Sequence, residues 1–256
     1  MPTERSRSHV LITGGADGLG RALALRYAEE GHCVTILDVD EARGRCLAAQ
    51  GEGIVFIPLN LAAFAVADLN LLSDSFDIVI CNAGISVSGD FCEISSEAEK
   101  EVFEVNVLGH IKLLKLLLQS GRIRRGARLA FVLSASVYLP FPVALAYAAS
   151  KAALEGFANT LEPYLWGERI SITRIYPGPM KTAHHAKYYA RFAPRGGTSP
   201  RKVARSIVKA VKCRRRRVFP DAPSRLFRIA YGVSDKMLAG LSYKLFQRYQ
   251  DTLFEI

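Results

Sequence analysis

Short apolar runs alternate along this chain with longer segments whose apolar residues recur at helical spacing. His9-Val-Leu-Ile-Thr13, Cys33-Val-Thr-Ile-Leu-Asp38, Gly53-Ile-Val-Phe-Ile-Pro-Leu59, Phe76-Asp-Ile-Val-Ile-Cys81, Arg128-Leu-Ala-Phe-Val-Leu133 and Arg169-Ile-Ser-Ile-Thr-Arg-Ile-Tyr176 read as strands. Helices are predicted from the glycine turn after Thr13 to about Glu30, over Glu41–Gln50, over Ser96–Gln119, from Ala146 to about Trp166 and over Arg201–Cys213. Ser199-Pro200 supplies an N-cap and a first-position proline for the last of these. Between Leu61 and Ser75 there is room only for a shortened helix. Arg214–Pro220 predicts a short final strand, and Pro223–Tyr249 an aromatic, basic, amphipathic stretch. With no linker, repeat or low-complexity segment, the pattern predicts one α/β domain over residues 1–256, its core at 8–220 and a C-terminal extension at 221–256.

Composition narrows the class. Half of the 256 residues are hydrophobic and 23% are charged, as in a globular protein with an ample core. No apolar run approaches the ~20 residues of a membrane span, and no secretory signal pattern precedes the first strand. Cys33, Cys46, Cys81, Cys92 and Cys213 form no C-x-x-C pair, and read as reduced thiols of a cytoplasmic protein. His184-His185 lacks further ligands nearby in sequence, so no metal site is expected. The net charge of +10 is unevenly placed: residues 201–256 hold 14 basic and 4 acidic side chains, while the rest of the chain balances. That asymmetry fits an anionic partner. The arginine run 214–217 has no interleaved aromatic platform, which speaks against nucleic acid.

Candidate chemistry lies at strand ends. Tyr147 and Lys151 are four apart and share one face of a helix. An ammonium beside a phenol favours the phenolate, so the pair predicts a tuned proton donor and acceptor for alcohol/ketone interconversion. Gly14-Gly-Ala-Asp17-Gly18-Leu19-Gly20 lies between a strand and a helix, where backbone and helix N-terminus can hold a diphosphate. Asp38 ends the second strand, where a carboxylate accepts from both adenosine ribose hydroxyls and repels a 2′-phosphate.

The glycine turn and the Tyr147/Lys151 segment, in this order, resemble the short-chain dehydrogenase/reductase family. The resemblance runs from His9 to about Phe219 and implies a doubly wound parallel sheet of about seven strands, order 3-2-1-4-5-6-7. It makes Tyr147 the acid/base, Lys151 the group that holds the nicotinamide ribose, and a serine upstream the carbonyl-polarising group. Ser134, thirteen residues before Tyr147, has the family spacing, with Ser136 as its rival. Asn106, in Phe103-Glu-Val-Asn106-Val-Leu-Gly109, takes the family role of holding a relay water. Asn82-Ala83-Gly84 would line the adenosine side, and Pro177-Gly178-Pro-Met180-Lys-Thr182 the nicotinamide side. Asn60-Leu61 stands where the family has Asp-Val, and an amide oxygen can still accept the adenine amino group's hydrogen bond. Neither Asp17 nor Val39 is basic, so NAD is expected rather than NADP.

The resemblance therefore implies an NAD-dependent oxidoreductase acting on a secondary alcohol or ketone. A reductase of the same fold using NADPH and a non-catalytic cofactor-binding sensor are the alternatives. Ile85, Ser86, Tyr138, Leu139, Val143, Leu145, Met180, Tyr188 and Tyr189 are expected about the substrate, which would be hydrophobic, under a lid over Ala183–Phe192. A homodimer or homotetramer is expected, packed through the helices carrying Asn106 and Tyr147. The basic C-terminal segment is expected as a substrate cover, an interface or a peripheral membrane contact.

Overall fold

The computed structural model describes residues 7–72, 75–139, 142–189 and 197–253. Along the chain come β1 (His9–Thr13), α1 (Gly18–Glu29), β2 (Cys33–Asp38), α2 (Glu41–Gln50), β3 (Ile54–Pro58), a 3₁₀ turn (Val66–Leu71) and β4 (Phe76–Cys81). There follow α3 (Ser96–Phe103), a π-helical segment (Glu104–Leu108), α4 (Gly109–Gln119), β5 (Ile123–Val132), α5 (Leu145–Tyr164) and β6 (Ser171–Ile175). The chain continues through α6 (Ala183–Tyr189), α7 (Pro200–Lys212), β7 (Arg217–Val218), α8 (Ala222–Val233) and α9 (Asp235–Leu253). The strands form one parallel sheet in the order β3-β2-β1-β4-β5-β6-β7, the expected doubly wound arrangement.

The uninterrupted apolar runs are explained by burial on both faces of the sheet. Leu11, Leu37, Val79, Leu129 and Phe131 point into one core layer. Their strand neighbours Val10, Ile12, Ile36, Ile78, Ile80 and Ala130 point into the other, beneath α1 and α7. Because neighbouring strands reverse direction of winding at β1 and β4, a crevice opens beyond their C-terminal ends, where the predicted site residues collect.

Four elements differ from the sequence expectation. The helix predicted over Ser96–Gln119 passes through a π-helical segment at Asn106, whose side chain is bonded to other elements. β5 begins five residues before Arg128, and its charged start explains why pattern missed it: Arg124 and Arg125 are exposed beyond the core, and Arg124 pairs with Asp77 at 2.8 Å. The final strand is two residues long, because only Arg217 and Val218 reach β6. At α7, Ser199 and Pro200 stand at the predicted positions, but the serine side chain makes no cap bond.

One buried ion pair fastens α5 to the sheet. Arg174 on β6, only 3% exposed, donates to the Glu162 carboxylate at 2.8 Å and to the Ala158 carbonyl at 3.1 Å; Arg216 adds a further bond to Glu162 at 2.7 Å. Burial pushes the Glu162 carboxyl up, but hydrogen bonds from Arg216 and Arg174 bring it below its ordinary range. Glu162→Ala, which leaves the buried guanidinium uncompensated, should destabilise the protein by about 3–5 kcal/mol in urea denaturation. A loss below about 1 kcal/mol would mean that Arg174 finds solvent or another partner.

Candidate active site

The expected cofactor residues all line one cleft of about 500 Å³ across the C-terminal edge of the sheet. Gly14, Asp17, Gly18, Leu19 and Gly20 come from the turn after β1, Asp38 from the end of β2, Asn60 and Leu61 from the loop after β3, and Asn82, Ala83 and Gly84 from the loop after β4. Ser134 follows β5, Tyr147 and Lys151 project from α5, and Pro177, Gly178, Met180 and Thr182 follow β6. Asn106 is fully buried behind this lining rather than in it.

The glycine turn is shaped to admit a bulky anion. A Cβ at Gly20 would stand 1.9 Å from the Gly14 carbonyl oxygen, so only glycine lets α1 start this close to the turn. Gly18 has φ of +55°, and a Cβ there would reach across to Thr182 Cγ2 at 3.4 Å, filling the gap between the two cleft walls. The Asp17 side chain makes no cap bond to α1 and pairs instead with Arg43 at 3.1 Å, so it does not consume the N–H groups of the helix's first turn. These features fit a dinucleotide diphosphate at a helix N-terminus. Asp38 accepts from Ala16 N–H (2.9 Å) and Asp40 N–H (3.1 Å), which orient its carboxylate at the adenosine end. The Asn60 amide oxygen accepts from Ala62 N–H at 3.0 Å.

At the other end, the Tyr147 hydroxyl is hydrogen-bonded to Ser134, which also accepts from Ser136 N–H at 3.1 Å. The Ser136 hydroxyl is buried without a hydrogen-bond partner and takes no part in this pairing. Lys151 donates to the Val132 carbonyl at 3.0 Å, and its Nζ lies 5.7 Å from the Tyr147 ring centroid. Burial of the phenol opposes the lowering expected from the ammonium. Burial raises the Tyr147 hydroxyl above its ordinary range, and the bond with Ser134 offsets only part of that. Burial also pulls Lys151 down to about 8. Desolvation outweighs the local pair, because the same enclosure that brings the two groups together excludes water from both.

Sequence reasoning missed three residues. His184, in the first turn of α6, lines the cleft and lies 6.0 Å from the Tyr147 ring, centroid to centroid; burial lowers it to about 4, so the imidazole is neutral. Asp221 is buried, accepts from Gly178 N–H at 2.9 Å and caps α8 through Ser224 N–H at 2.8 Å, joining the loop after β6 to the C-terminal extension. His110 lies buried on α4, with Nδ1 3.1 Å from the Asn106 carbonyl and Nε2 2.9 Å from Thr13 Oγ1. Only the imidazole can donate to a carbonyl, so Nδ1 carries the proton and Nε2 accepts from the Thr13 hydroxyl. Thr13 Oγ1 in turn accepts from the N–H groups of Asn82 (2.9 Å) and Ala83 (3.0 Å). The Asn106 amide holds Ile85 by both backbone groups and donates to Ser150, whose hydroxyl donates to the Tyr147 carbonyl at 2.7 Å. One signal for His110 was legible: it follows Asn106 by one helical turn.

Of the residues expected about the substrate, Ile85 and Met180 line the cleft. Val143 is core, and Tyr138 packs against Tyr176, Phe219 and Tyr231. Ser88 Oγ donates to the Tyr188 carbonyl, fixing the described part of the expected lid; residues 190–192 and the Tyr189 side chain lie outside the described residues.

Fold and cleft together define a dinucleotide-binding enzyme. A family model described as short chain dehydrogenase matches residues 8–191. A dehydrogenase/reductase SDR family protein 7-like from Anopheles gambiae is 29% identical over 242 residues, 82% of this chain and 75% of that protein. The 3-dehydrosphinganine reductase TSC10A of Arabidopsis thaliana is 30% identical over 183 residues, 68% of this chain and 56% of that one, so the chain spans little more than half of this relative. The crystal structure of BdcA in complex with NADPH superposes with a TM-score of 0.73 at 25% identity, over 83% of this chain and 93% of that one. The chain belongs to the short-chain dehydrogenase/reductase family, and is an NAD(P)-dependent oxidoreductase.

Burial lowers His110 from 6.5 to about 4, whereas in the unfolded chain it titrates normally. Between these values the unfolded chain binds more protons, so stability falls as pH drops from about 6.5 towards 4. His110→Leu should cost about 1–3 kcal/mol at neutral pH by leaving the Thr13 and Asn106 groups unpaired. Its loss of stability across that acid window should also be shallower than the wild type's in denaturation series; equal slopes would contradict a neutral, buried His110.

Proposed function

We propose that this enzyme interconverts a secondary alcohol and its ketone on a hydrophobic substrate, using NAD. The observation that carries this reading is the Ser134–Tyr147 hydrogen bond beside Lys151 at the cleft wall. When bound, the nicotinamide supplies or removes a hydride at the substrate carbon. Ser134 and Tyr147 hydrogen-bond the substrate oxygen and stabilise charge as it develops there. Tyr147, its pKa raised by burial, donates its proton to a forming alkoxide in the reductive direction; in the oxidative direction it first loses that proton towards solvent past Lys151, and the phenolate then takes the alcohol's proton. Lys151 holds the cofactor ribose and keeps a positive charge near the phenol. Asn106 has already used three of its four amide hydrogen-bonding positions on Ile85 and Ser150, so it serves mainly by positioning, with one lone pair left for a relay water. The five cysteines are free thiols, which supports a reducing compartment such as the cytoplasm.

Hydrophobic substrate is supported by Ile85, Val105 and Met180 in the lining, with neutral His184 and Ser134 as polar points. NAD is supported by the oriented Asp38 carboxylate beside exposed Val39. A second reading, NADPH-dependent carbonyl reduction, has its own support: Arg43 stands 3.1 Å from Asp17 and 3.5 Å from Asp40 at the same end of the cleft, and the similar BdcA structure holds NADPH.

Screening hydrophobic alcohols and ketones by nicotinamide absorbance tests the reaction. Tyr147→Phe should lower kcat by at least about a hundredfold while the cofactor still binds. Ser134→Ala should be far more harmful than Ser136→Ala; near-normal turnover by Tyr147→Phe would sink the assignment. Asp38→Ala with Val39→Arg should shift preference towards NADP by removing a repelling carboxylate and adding a phosphate partner. Wild-type protein that turned over NADP faster than NAD at equal concentration would decide for the second reading.

A further inference from the structure

Helix α8 has one apolar face used by the fold and another that is not. On its inner side Ser224 is buried, and Tyr231 packs edge-on against Tyr138, 5.6 Å between centroids. On its outer side Leu226, Ile229 and Val233 recur at i, i+3 and i+7 and are 63%, 63% and 75% exposed. Met237, near the start of α9, is 58% exposed, whereas Leu238 and Ser242 of that helix are buried. Substrate covering therefore does not account for this stripe. The side chains of Leu241, Leu245, Phe246 and Arg248 lie outside the described residues.

Charge selects the occupant. From Ala222 to Gln250 the sequence has five basic residues and a single acid, Asp235. Exposed Lys236 and Lys244 accompany the exposed apolar side chains, as do exposed Arg225 and Arg228, which also touch Phe219 through its carbonyl at 3.1 Å and its ring at 5.1 Å. The arginine run does not belong to this surface. Arg214 bonds Ser171 and the Gly126 carbonyl, and Arg216 bonds Glu162, at the opposite edge of the sheet. A second copy of this chain would meet the stripe with its own cations, like against like, whereas an anionic bilayer offers hydrocarbon for the leucine and isoleucine and phosphate for the lysines and arginines. Among the described residues no helix is long and apolar enough to cross a membrane, so the geometry is that of a helix lying in the interface.

We propose that the outer face of α8 and the start of α9 dock on an anionic lipid surface. Docking is anchored to the cleft, because Asp221 ties the first turn of α8 to Gly178. A substrate dissolved in the bilayer would thus meet the enzyme beside its site. The inference goes beyond the proposed reaction and does not depend on which alcohol is turned over.

Co-sedimentation with phosphatidylcholine vesicles, with and without phosphatidylserine, at low and high salt tests it. The wild type should pellet with the anionic vesicles, and high salt should release it. Leu226→Glu with Ile229→Glu should abolish pelleting. Lys236→Glu with Lys244→Glu, which leaves the apolar stripe intact and guards against a folding artefact, should weaken it by roughly tenfold or more. Denaturation midpoints of both variants should stay near the wild type's, since none of the four side chains is buried. Failure to pellet on anionic vesicles overturns the proposal, and so does equal, salt-insensitive binding to neutral lipid. Self-association by light scattering that vanishes in the Leu226/Ile229 variant would assign the stripe to a second copy instead.

Discussion

A buried run of hydrogen bonds joins the two halves of the cleft. The Thr13 hydroxyl gathers the N–H groups of Asn82 and Ala83 and donates to His110; His110 donates to the Asn106 carbonyl; Asn106 reaches Ile85 and Ser150; Ser150 reaches the Tyr147 carbonyl. Each group is in low dielectric, where a satisfied network is strong and a broken one costly. The glycine turn and the helix bearing Tyr147 and Lys151 are therefore set relative to each other by directional bonds, which have one good geometry, and not only by apolar packing, which has many. The π-helical segment follows from the same constraint. It lets Asn106 turn inward towards the loop after β4 in the middle of an otherwise regular helix.

The ionisable groups pay for that enclosure. Burial holds Lys151 near 8, raises Tyr147 and lowers His184, so all three side chains around the reacting position are biased towards their neutral forms. A neutral phenol is a donor, and neutral imidazole is both donor and acceptor. An ammonium near its midpoint at mildly alkaline pH is responsive: a nearby phosphate or ribose contact shifts its charge further than it would shift that of an exposed lysine. Function here uses groups that folding alone would not choose to bury.

The fold was largely legible because a doubly covered parallel sheet demands continuous apolar strands, and five of the six predicted runs reappear within two residues at each end. The start of β5 was not, since Arg124 and Arg125 look like a loop until one knows that the strand outruns the core. Site residues in the turns were legible because glycine, asparagine and proline mark backbone geometry directly, and those positions all line the cleft. The electrostatics were not. Spacing puts Lys151 one turn from Tyr147, but it says nothing of the enclosure that opposes the ammonium's effect. His110 and Asp221 escaped for a related reason: a polar residue's partner in another element is set by tertiary contact, and sequence distance of 97 between Thr13 and His110 conceals it.

The C-terminal extension is tied to the cleft wall through Asp221 and is not an appendage to it. One oxygen of Asp221 accepts from Gly178 N–H while the other caps Ser224, so α8 cannot leave without exposing a buried carboxylate and freeing the loop that follows β6. A helix so anchored, with Tyr231 packed on Tyr138, needs only its inner face to stay folded. Leu226, Ile229 and Val233 add nothing to that packing and, as exposed apolar surface, cost solubility. Helix propensity does not call for them either, since alanine or glutamate would serve the outer face as well or better than isoleucine and valine. The packing of the fold leaves the outer stripe unexplained, and it is on this surplus that the proposed lipid contact rests.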